Sequence, residues 1–230
     1  MMTRLLLIRH GATSLTAEDR FSGDIGVDLS EEGRAQVAAL ATRLATRRIG
    51  AVYASPLSRA ADTAMLLATP HGLTPQIQDG LREISHGHWE GLTRSDVETR
   101  FPEEYASWES DPYTFAPVGG ESGLSVMARA LPVIRQIVTT HQGEQVVVVS
   151  HKATLRLILS CLLGLDPRGY RDRFDQSPAC LNVIDFRDVL HPRLMLFNDT
   201  SHYADMPKPT RTSLSKWWDE RTREVHRFER

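Results

Sequence analysis

Three short apolar runs, at residues 5–8, 51–54 and 146–149, each end in polar residues and lead into a helical pattern. A continuous apolar run of this length is typical of a strand that is covered on both faces. Strands that alternate with helices along a chain indicate a mostly parallel sheet. The pattern therefore predicts an α/β fold, a three-layer α/β/α arrangement around a mostly parallel central sheet.

Start and stop signals place the helices between these strands. Ser30 is predicted to be an N-cap, the position at which a serine hydroxyl accepts from a free helix N–H group. Ser55 is predicted to cap the next helix, with Pro56 at the first helical position, where a missing N–H is no loss. After the third strand, a helix is predicted from about residue 153 to 163, with Gly164 as a stop signal.

A long segment, roughly residues 80–122, separates the second and third units. It is rich in aromatic, acidic, proline and glycine residues, and it is too long for an ordinary connection. Two interpretations are open: a lid or binding loop, or a small helical subdomain that covers an edge of the sheet. The aromatic residues of this segment could wall a ligand site, although core packing is expected for most of them: Trp89, Tyr105, Trp108, Tyr113 and Phe115.

Charge and cysteine content exclude several kinds of partner. The formal net charge is −2, so no general attraction to nucleic acid or to an anionic membrane is expected. Cys161 and Cys180 have no metal-ligand spacing and are expected to be reduced thiols of a cytoplasmic protein. The first apolar run is too short for a signal peptide, because Arg9 and His10 interrupt it. No apolar run approaches the length that spans a membrane.

Cationic or titratable side chains follow all three predicted strands. Arg9 and His10 end the first strand, Arg59 lies one helical turn after the second, and His151 and Lys152 follow the third. Ligands of open parallel sheets bind beyond the carboxyl ends of the strands, so these side chains are expected to converge on one pocket. Arginine side chains and helix N-termini bind phosphoryl oxygens well. The pocket is therefore predicted to hold a phosphoryl group.

Histidine in such a pocket can react as well as bind. Neutral imidazole is a good nucleophile at physiological pH, and it can carry a phosphoryl group covalently. The departing alkoxide needs a proton from a carboxylic acid whose pKa is raised. The candidate acid is Glu83, in the sequence LREISHGHWEG. His86 and His88, in the same sequence, are expected either to line the pocket or to lie in a solvated loop.

Six segments occur in order over about residues 4–155: RHGAT, FSG, SPLSRAADTA, LREISHGHWEG, GGES and VVVSH. Together they resemble the motifs of the histidine phosphatase superfamily, the phosphoglycerate-mutase-like proteins. The resemblance implies that His10 is the nucleophile that becomes phosphohistidine, and that Arg9, Arg59 and His151 bind the phosphoryl oxygens. It implies that Glu83 is the general acid and then the base that activates water. It implies no metal and no cofactor.

Four further residues are expected to bind the substrate. Ser22 and Gly23 belong to the FSG segment. The family often has Asn where this chain has Thr16, whose hydroxyl can still donate to phosphate with less reach. It often has Gly where this chain has Lys152. We hypothesise that this lysine faces the pocket and favours a substrate with extra negative charge, although its side chain could instead point away along the helix. In a third departure, Ala12 stands where the family often has an acid.

The resemblance also bears on domain organisation. It implies one phosphoglycerate-mutase-like catalytic domain at residues 1–205, with a lid-like insertion at about 84–122. Near the end of this domain, residues 181–186 and 194–197 predict two strands joined by a turn around His191 and Pro192. Residues 206–230 form a polar C-terminal tail. The apolar pair Trp217 and Trp218 in this tail is compatible with a helix that docks on the domain.

The segment after HWEG separates a phosphatase from a mutase. Cofactor-dependent mutases of the family carry a longer, basic insertion there, whereas this chain has a shorter and more acidic one. The chain thus looks like the phosphatase branch, which includes phosphoserine, α-ribazole and broad-specificity sugar-phosphate phosphatases. We predict hydrolysis of a small phosphorylated metabolite. A mutase and a non-catalytic phosphate-ligand binder are the alternatives, and a homodimer through the late strands or the tail stays open.

Overall fold

The computed structural model describes residues 2–17, 20–23 and 25–204. Within these residues, six strands form one sheet in the order β3-β2-β4-β1-β5-β6. The first four strands pair in parallel, whereas β5 pairs antiparallel with both β1 and β6. The strands are β1 Thr3–Arg9, β2 Ala51–Ala54, β3 Gln76–Ile77, β4 Gln145–Ser150, β5 Leu181–Phe186 and β6 Pro192–Asp199.

Helices cover both faces of the sheet. Leu6 and Ile8 of β1 pack with Leu40 in a core that α1 and α2 close, whereas Leu5 and Leu7 point into a core that α5 and α6 close. Both faces of the strand are buried, and this confirms the predicted three-layer α/β/α fold. The helices are α1 Glu31–Leu44, α2 Ser58–Ala68, α3 Arg94–Arg100, α4 Pro102–Ser110, α5 Gly123–Thr140, α6 Lys152–Leu162 and α7 Tyr170–Arg173.

Most predicted boundaries agree with these elements. The three apolar runs lie inside β1, β2 and β4. The prediction for Ser30 is confirmed, since its hydroxyl accepts from the Gly33 N–H at 3.0 Å. Helix α6 begins at Lys152, one residue earlier than predicted, with His151 as its N-cap.

The predicted start of α2 is wrong. This helix begins at Ser58 with Leu57 as its N-cap, so neither Ser55 nor Pro56 has the expected role. Ser55 instead extends the sheet, because its N–H donates to the Val149 carbonyl at 3.1 Å. Its hydroxyl accepts from the Leu57 N–H at 3.3 Å and lies 2.8 Å from Nε2 of His151.

The segment between α2 and α5 contains two short helices with a small core of their own. Helices α3 and α4 pack around Trp89, Val97, Tyr105 and Trp108, and Phe21 reaches into this cluster from outside the segment. Thr93 caps α3 in a capping box with Asp96. The segment therefore contains helices, as one of the two interpretations expects, and through Trp108 it also lines the cleft described below.

Strand β5 matches the prediction, and β6 is longer than predicted at both ends. The turn between them lies before Pro192, which is the first residue of β6. Trp217, Trp218 and the rest of the tail at 206–230 lie outside the described residues. Cys161 and Cys180 are free thiols. In the part of the chain that the structure describes, every helix is too short or too polar to cross a membrane.

Candidate active site

The candidate site lies at the carboxyl ends of β1, β4 and β2. Arg9 pairs with Ser150 across the two central strands, and the His10 N–H donates to the Ser150 carbonyl at 3.0 Å. The backbone after His10 passes close to α1, because a Cβ on Gly11 would lie 2.6 Å from the Gly33 carbonyl oxygen. Glycine at both positions therefore allows the close approach that places His10 over the end of the sheet.

His10 is buried and neutral, with a defined tautomer. Its Nδ1 lies 2.7 Å from the Gly11 carbonyl oxygen. A carbonyl only accepts, so Nδ1 carries the proton and Nε2 keeps a lone pair. Burial lowers the pKa of His10 well below 6.5, and the positive charges of Arg9 and Arg59 lower it further. A neutral imidazole with a free lone pair has the form that a nucleophile needs at neutral pH.

Two buried arginines flank His10. The Arg59 guanidinium donates to the carbonyls of Ile25 and Gly23, each at 2.8 Å, and so ties the loop after Phe21 to α2. Arg9 donates through Nη1 to the Gln176 carbonyl at 2.7 Å. Its Nε is buried with no hydrogen-bond partner among the described residues. Arg9, His10 and Arg59 all line one cleft of about 120 Å³.

His151 stands beside His10, with the two ring centres 5.1 Å apart. Its Nε2 lies 2.8 Å from the hydroxyl of Ser55, which orients the ring. Its Nδ1 is buried and has no partner among the described residues. Burial lowers the pKa of His151 well below 6.5, and His10 and Arg59 lower it further. A neutral ring with one unsatisfied nitrogen suits hydrogen bonding to a phosphoryl group.

Glu83 lies against the N-terminus of α6 and lines the same cleft. Its Oε1 accepts from the N–H groups of Ile84, at 3.0 Å, and Thr154, at 3.1 Å. The Thr154 hydroxyl donates to the same oxygen at 3.1 Å. Oε2 accepts from the Ala153 N–H at 3.1 Å. These donors fix the carboxyl group in place, and a carboxyl oxygen with one such bond has capacity left to carry a proton.

A network of backbone contacts positions the segment that carries Glu83. Ser150 donates to the Leu81 carbonyl at 2.8 Å. Arg129 of α5 donates to the carbonyls of Arg82 and Glu83, each at 2.9 Å, and pairs with the carboxylate of Glu121 at 2.8 Å. The loop is therefore fastened to both β4 and α5.

The structure brings most of the predicted substrate residues to the cleft. Ser22, Gly23 and Lys152 line it. The backbone of Thr16 lies in the short 3-10 helix Ser14–Ala17. Its side chain lies outside the described parts of the structure. Among the described residues no group of three or more His, Cys, Asp or Glu could hold a metal ion.

The histidines and aromatic residues near Glu83 divide between cleft and core. His86 lines the cleft, and burial lowers its pKa to about 4, so it is a neutral hydrogen-bonding group there. His88 lies outside the cleft, with Nε2 3.3 Å from Glu104. Trp108 lines the cleft, whereas Trp89 is fully buried in the core of the inserted segment.

Three cleft-lining arginines were absent from the sequence-based set: Arg20, Arg156 and Arg171. Arg156 carried a usable signal, because it lies four residues after Lys152 and so shares its helix face. Arg171 comes from the short helix α7, and no local pattern connects it with the other site residues.

Comparison with known proteins assigns the family. The sequence model of the histidine phosphatase superfamily (branch 1) matches residues 5–200. Phosphoserine phosphatase 1 of Hydrogenobacter thermophilus is 34% identical over 204 residues, which cover 89% of this chain and 96% of that protein. Glucosyl-3-phosphoglycerate phosphatase of Mycolicibacterium vanbaalenii is 36% identical over 169 residues, which cover 70% of this chain and 75% of that protein.

A solved structure agrees with this assignment. YhfR of Bacillus stearothermophilus matches with a TM-score of 0.81 and 28% identity, over 87% of this chain and 98% of that one. The family match, the phosphatase relatives and the common fold lead to one conclusion. The chain belongs to branch 1 of the histidine phosphatase superfamily, and it is a phosphoric monoester hydrolase of that family.

Proposed function

We propose that this phosphatase hydrolyses a small phosphorylated metabolite, without a metal, through a phosphohistidine intermediate on His10. The observation that carries the proposal is the state of His10: buried, neutral, with Nδ1 tied to the Gly11 carbonyl and Nε2 left with its lone pair. Arg9 and Arg59 line the same cleft and supply positive charge for phosphoryl oxygens.

The first half-reaction transfers the phosphoryl group to the enzyme. Nε2 of His10 forms a bond to phosphorus while the bond from phosphorus to the ester oxygen breaks. Arg9, Arg59 and His151 hold the three equatorial oxygens, on which charge is spread. Glu83, in its protonated form, gives its proton to the departing alkoxide, which leaves as an alcohol.

The second half-reaction restores the enzyme. Glu83, now a carboxylate, takes a proton from a water molecule, whose oxygen bonds to phosphorus as the Nε2–phosphorus bond breaks. Inorganic phosphate leaves, and His10 returns to its neutral form. The donors that hold both carboxyl oxygens keep Glu83 in one place for both proton transfers.

The remaining predicted residues take part in binding. We assign Ser22, Gly23 and the side chain of Thr16 to the substrate, and Lys152, which lines the cleft, to a substrate with extra negative charge. If Lys152→Ala left the apparent affinity for every phosphate ester unchanged, its assignment would be wrong.

Phosphate release from a panel of esters in excess EDTA tests the proposal. The panel comprises phosphoserine, phosphoglycerates, α-ribazole phosphate, sugar phosphates and p-nitrophenyl phosphate. We expect release by the wild type, loss of release in His10→Ala, and normal release in His191→Ala, which removes an exposed imidazole instead. Thermal unfolding of His10→Ala checks that this variant is folded.

Four outcomes would contradict the proposal. Release that EDTA abolishes would indicate a metal, and release that persists in folded His10→Ala would exclude the nucleophile. Conversion of one phosphoglycerate into another without net phosphate release would indicate a mutase. Retention of the ester without turnover would indicate a binder. Glu83→Gln is expected to slow alkyl esters far more than p-nitrophenyl phosphate, because p-nitrophenolate leaves without a proton.

A further inference from the structure

Two arginines in the cleft wall have no part in the proposed phosphoryl transfer. Arg156 comes from the second turn of α6, and Arg171 comes from α7. Both line the same cleft as His10. A positive charge inside a protein is costly unless a negative charge pairs with it. An arginine that the protein pairs incompletely therefore favours binding of a second anionic group of the substrate.

Arg156 is incompletely paired. Its ion-pair partner in the described chain is the carboxylate of Asp175, 3.7 Å from Nη2, and the side chain of Asp175 is 47% exposed. The Nε of Arg156 is buried and has no hydrogen-bond partner among the described residues. Burial lowers the pKa of Arg156 to about 10. A guanidinium in this state gains from any anion that reaches it.

Trp108 and Glu109 hold Arg171 in the wall of the same cleft. Its guanidinium stacks over the Trp108 ring at 4.1 Å and pairs with Glu109 at 3.1 Å. Its Nε is also buried and without a partner in the described chain. Trp108 lines the cleft as well, so an aromatic plane orders this guanidinium at the surface that a ligand meets.

The position of Arg156 relates the pair to the leaving group. Arg156 lies two residues after Thr154, whose N–H contacts Glu83, and Arg156 and Glu83 line the same cleft. In the proposed function, Arg9 holds the phosphoryl group and Glu83 protonates the departing oxygen. An anion at Arg156 therefore belongs to the part of the substrate that leaves.

We propose that Arg156 and Arg171 form an anion subsite for a carboxylate on the leaving group, so that the substrates are phosphate esters of hydroxy acids. The inference rests on the proposed function and specifies its substrate class. Arg171 pairs with Glu109 at 3.1 Å, whereas Arg156 lies 3.7 Å from the half-exposed Asp175, so the charge of Arg156 is the less closely paired of the two. The remaining charge suits a singly charged carboxylate better than a dianionic second phosphate.

The test compares two esters that differ only in the anion. In 3-phosphoglycerate a carboxylate stands where glycerol 3-phosphate has a hydroxymethyl group. We expect the wild type to prefer 3-phosphoglycerate in kcat/KM by about tenfold or more, as a charge-assisted hydrogen bond allows. Arg156→Met and Arg171→Met are expected to reduce this ratio to about one. The ratio cancels any loss that the two esters share.

Matched variants separate the charge of the subsite from charge in general. Arg168→Met removes an arginine just before α7, 69% exposed and outside the cleft, and is expected to keep the wild-type ratio. Arg156→Lys keeps the charge and is expected to retain part of the preference. Arg171→Met leaves Glu109 buried without its partner. If this variant fails to fold, the double variant Arg171→Met, Glu109→Gln replaces it in the comparison of the two esters.

Equal kcat/KM values for the two esters in a wild type that releases phosphate through His10 would overturn the subsite alone. A preference that survives folded Arg156→Met and Arg171→Met would overturn it too. So would a preference for fructose 1,6-bisphosphate over fructose 6-phosphate with none for 3-phosphoglycerate, because that would indicate a second phosphate. No release from any ester, p-nitrophenyl phosphate included, would contradict the proposed function itself. Release from p-nitrophenyl phosphate in the same assay therefore separates failure of the subsite from failure of the proposed function.

Discussion

Thr154 contacts one carboxyl oxygen of Glu83 twice, with its N–H and its hydroxyl each 3.1 Å from Oε1. The same hydroxyl lies 2.7 Å from the Arg82 carbonyl oxygen. The first turn of the helix that follows His151 therefore sets the position of the proposed acid. A helix N-terminus that binds phosphate in many proteins here holds a carboxyl group.

Thr154→Val tests this positioning role. The change removes the hydroxyl and keeps the shape. The hydroxyl proton is shared between Glu83 Oε1 and the Arg82 carbonyl oxygen, so both contacts are lost and Glu83 becomes less well placed. We expect kcat to fall about tenfold with little change in KM, because a typical hydrogen bond contributes roughly 0.5–1.5 kcal/mol and about 1.4 kcal/mol is a factor of ten in rate. Thr154→Ser, which keeps a hydroxyl at this position, is expected to restore most of the rate. A loss of stability in Thr154→Val with an unchanged kcat would show a structural role only.

Ser55→Ala tests the orientation of His151. Without the hydroxyl, Nε2 of this buried ring loses its partner, and the ring is free to change tautomer or rotate. We expect kcat/KM to fall about tenfold, the effect of roughly 1.4 kcal/mol on the transition state. Ser160→Ala, which removes a buried hydroxyl that bonds to the Arg156 carbonyl, is the control. Equal losses in the two variants would refute the specific role of Ser55.

His86→Gln tests the pH dependence of stability. The pKa of His86 is about 4 in the folded chain and 6.5 ordinarily, so between these values the unfolded chain binds the proton more strongly. The neutral form is therefore favourable above about pH 6.5, and stability falls as the pH decreases towards 4. The full difference corresponds to roughly 3 kcal/mol.

We expect the wild type to lose more thermal stability between pH 7 and pH 4.5 than His86→Gln does, by roughly 5–10 °C in Tm. His10 and His151 also have lowered pKa values, and their contributions are the same in both proteins and cancel in the comparison. His191→Gln, at an exposed position, is the control. Parallel loss in wild type and His86→Gln would contradict the prediction.

Gly33→Ala tests the close approach of α1 to the loop after His10. A Cβ at Gly33 would lie 2.0 Å from the Ala12 carbonyl oxygen, so the helix and the loop must separate. We expect a loss of about 1–3 kcal/mol in the free energy of unfolding and a lower kcat/KM, since Ala12 lies two residues from the proposed nucleophile. Gly26→Ala, where a Cβ meets nothing within 4 Å, is expected to change neither. If urea unfolding gave Gly33→Ala the same free energy of unfolding as the wild type, the loop would accommodate the added Cβ without cost and the prediction would be wrong.

Local patterns were sufficient for much of the fold and for the central residues of the site. The runs at 5–8 and 146–149 are apolar on every residue, because helices cover both faces of β1 and β4. Parallel strands bring their carboxyl ends to one edge, and for that reason His10 and His151, distant in sequence, could be expected side by side. The cap at Ser30 depends on its neighbours alone, and it too was predictable.

Long-range contacts decided the features that local patterns did not predict, such as the role of Ser55 and the position of Arg171. Ser55 carries a sound capping signal, yet pairing with Val149 keeps it in the sheet, because a strand neighbour competes for the same backbone groups. Arg171 joins the cleft only because α7 packs beside the inserted segment, where Trp108 and Glu109 hold its guanidinium. The sequence by itself determined the sheet, its strand-end cluster and the family motifs, since these depend on local apolar patterns and strand direction. The tertiary structure decided which further arginines line the cleft, since that depends on how distant segments pack.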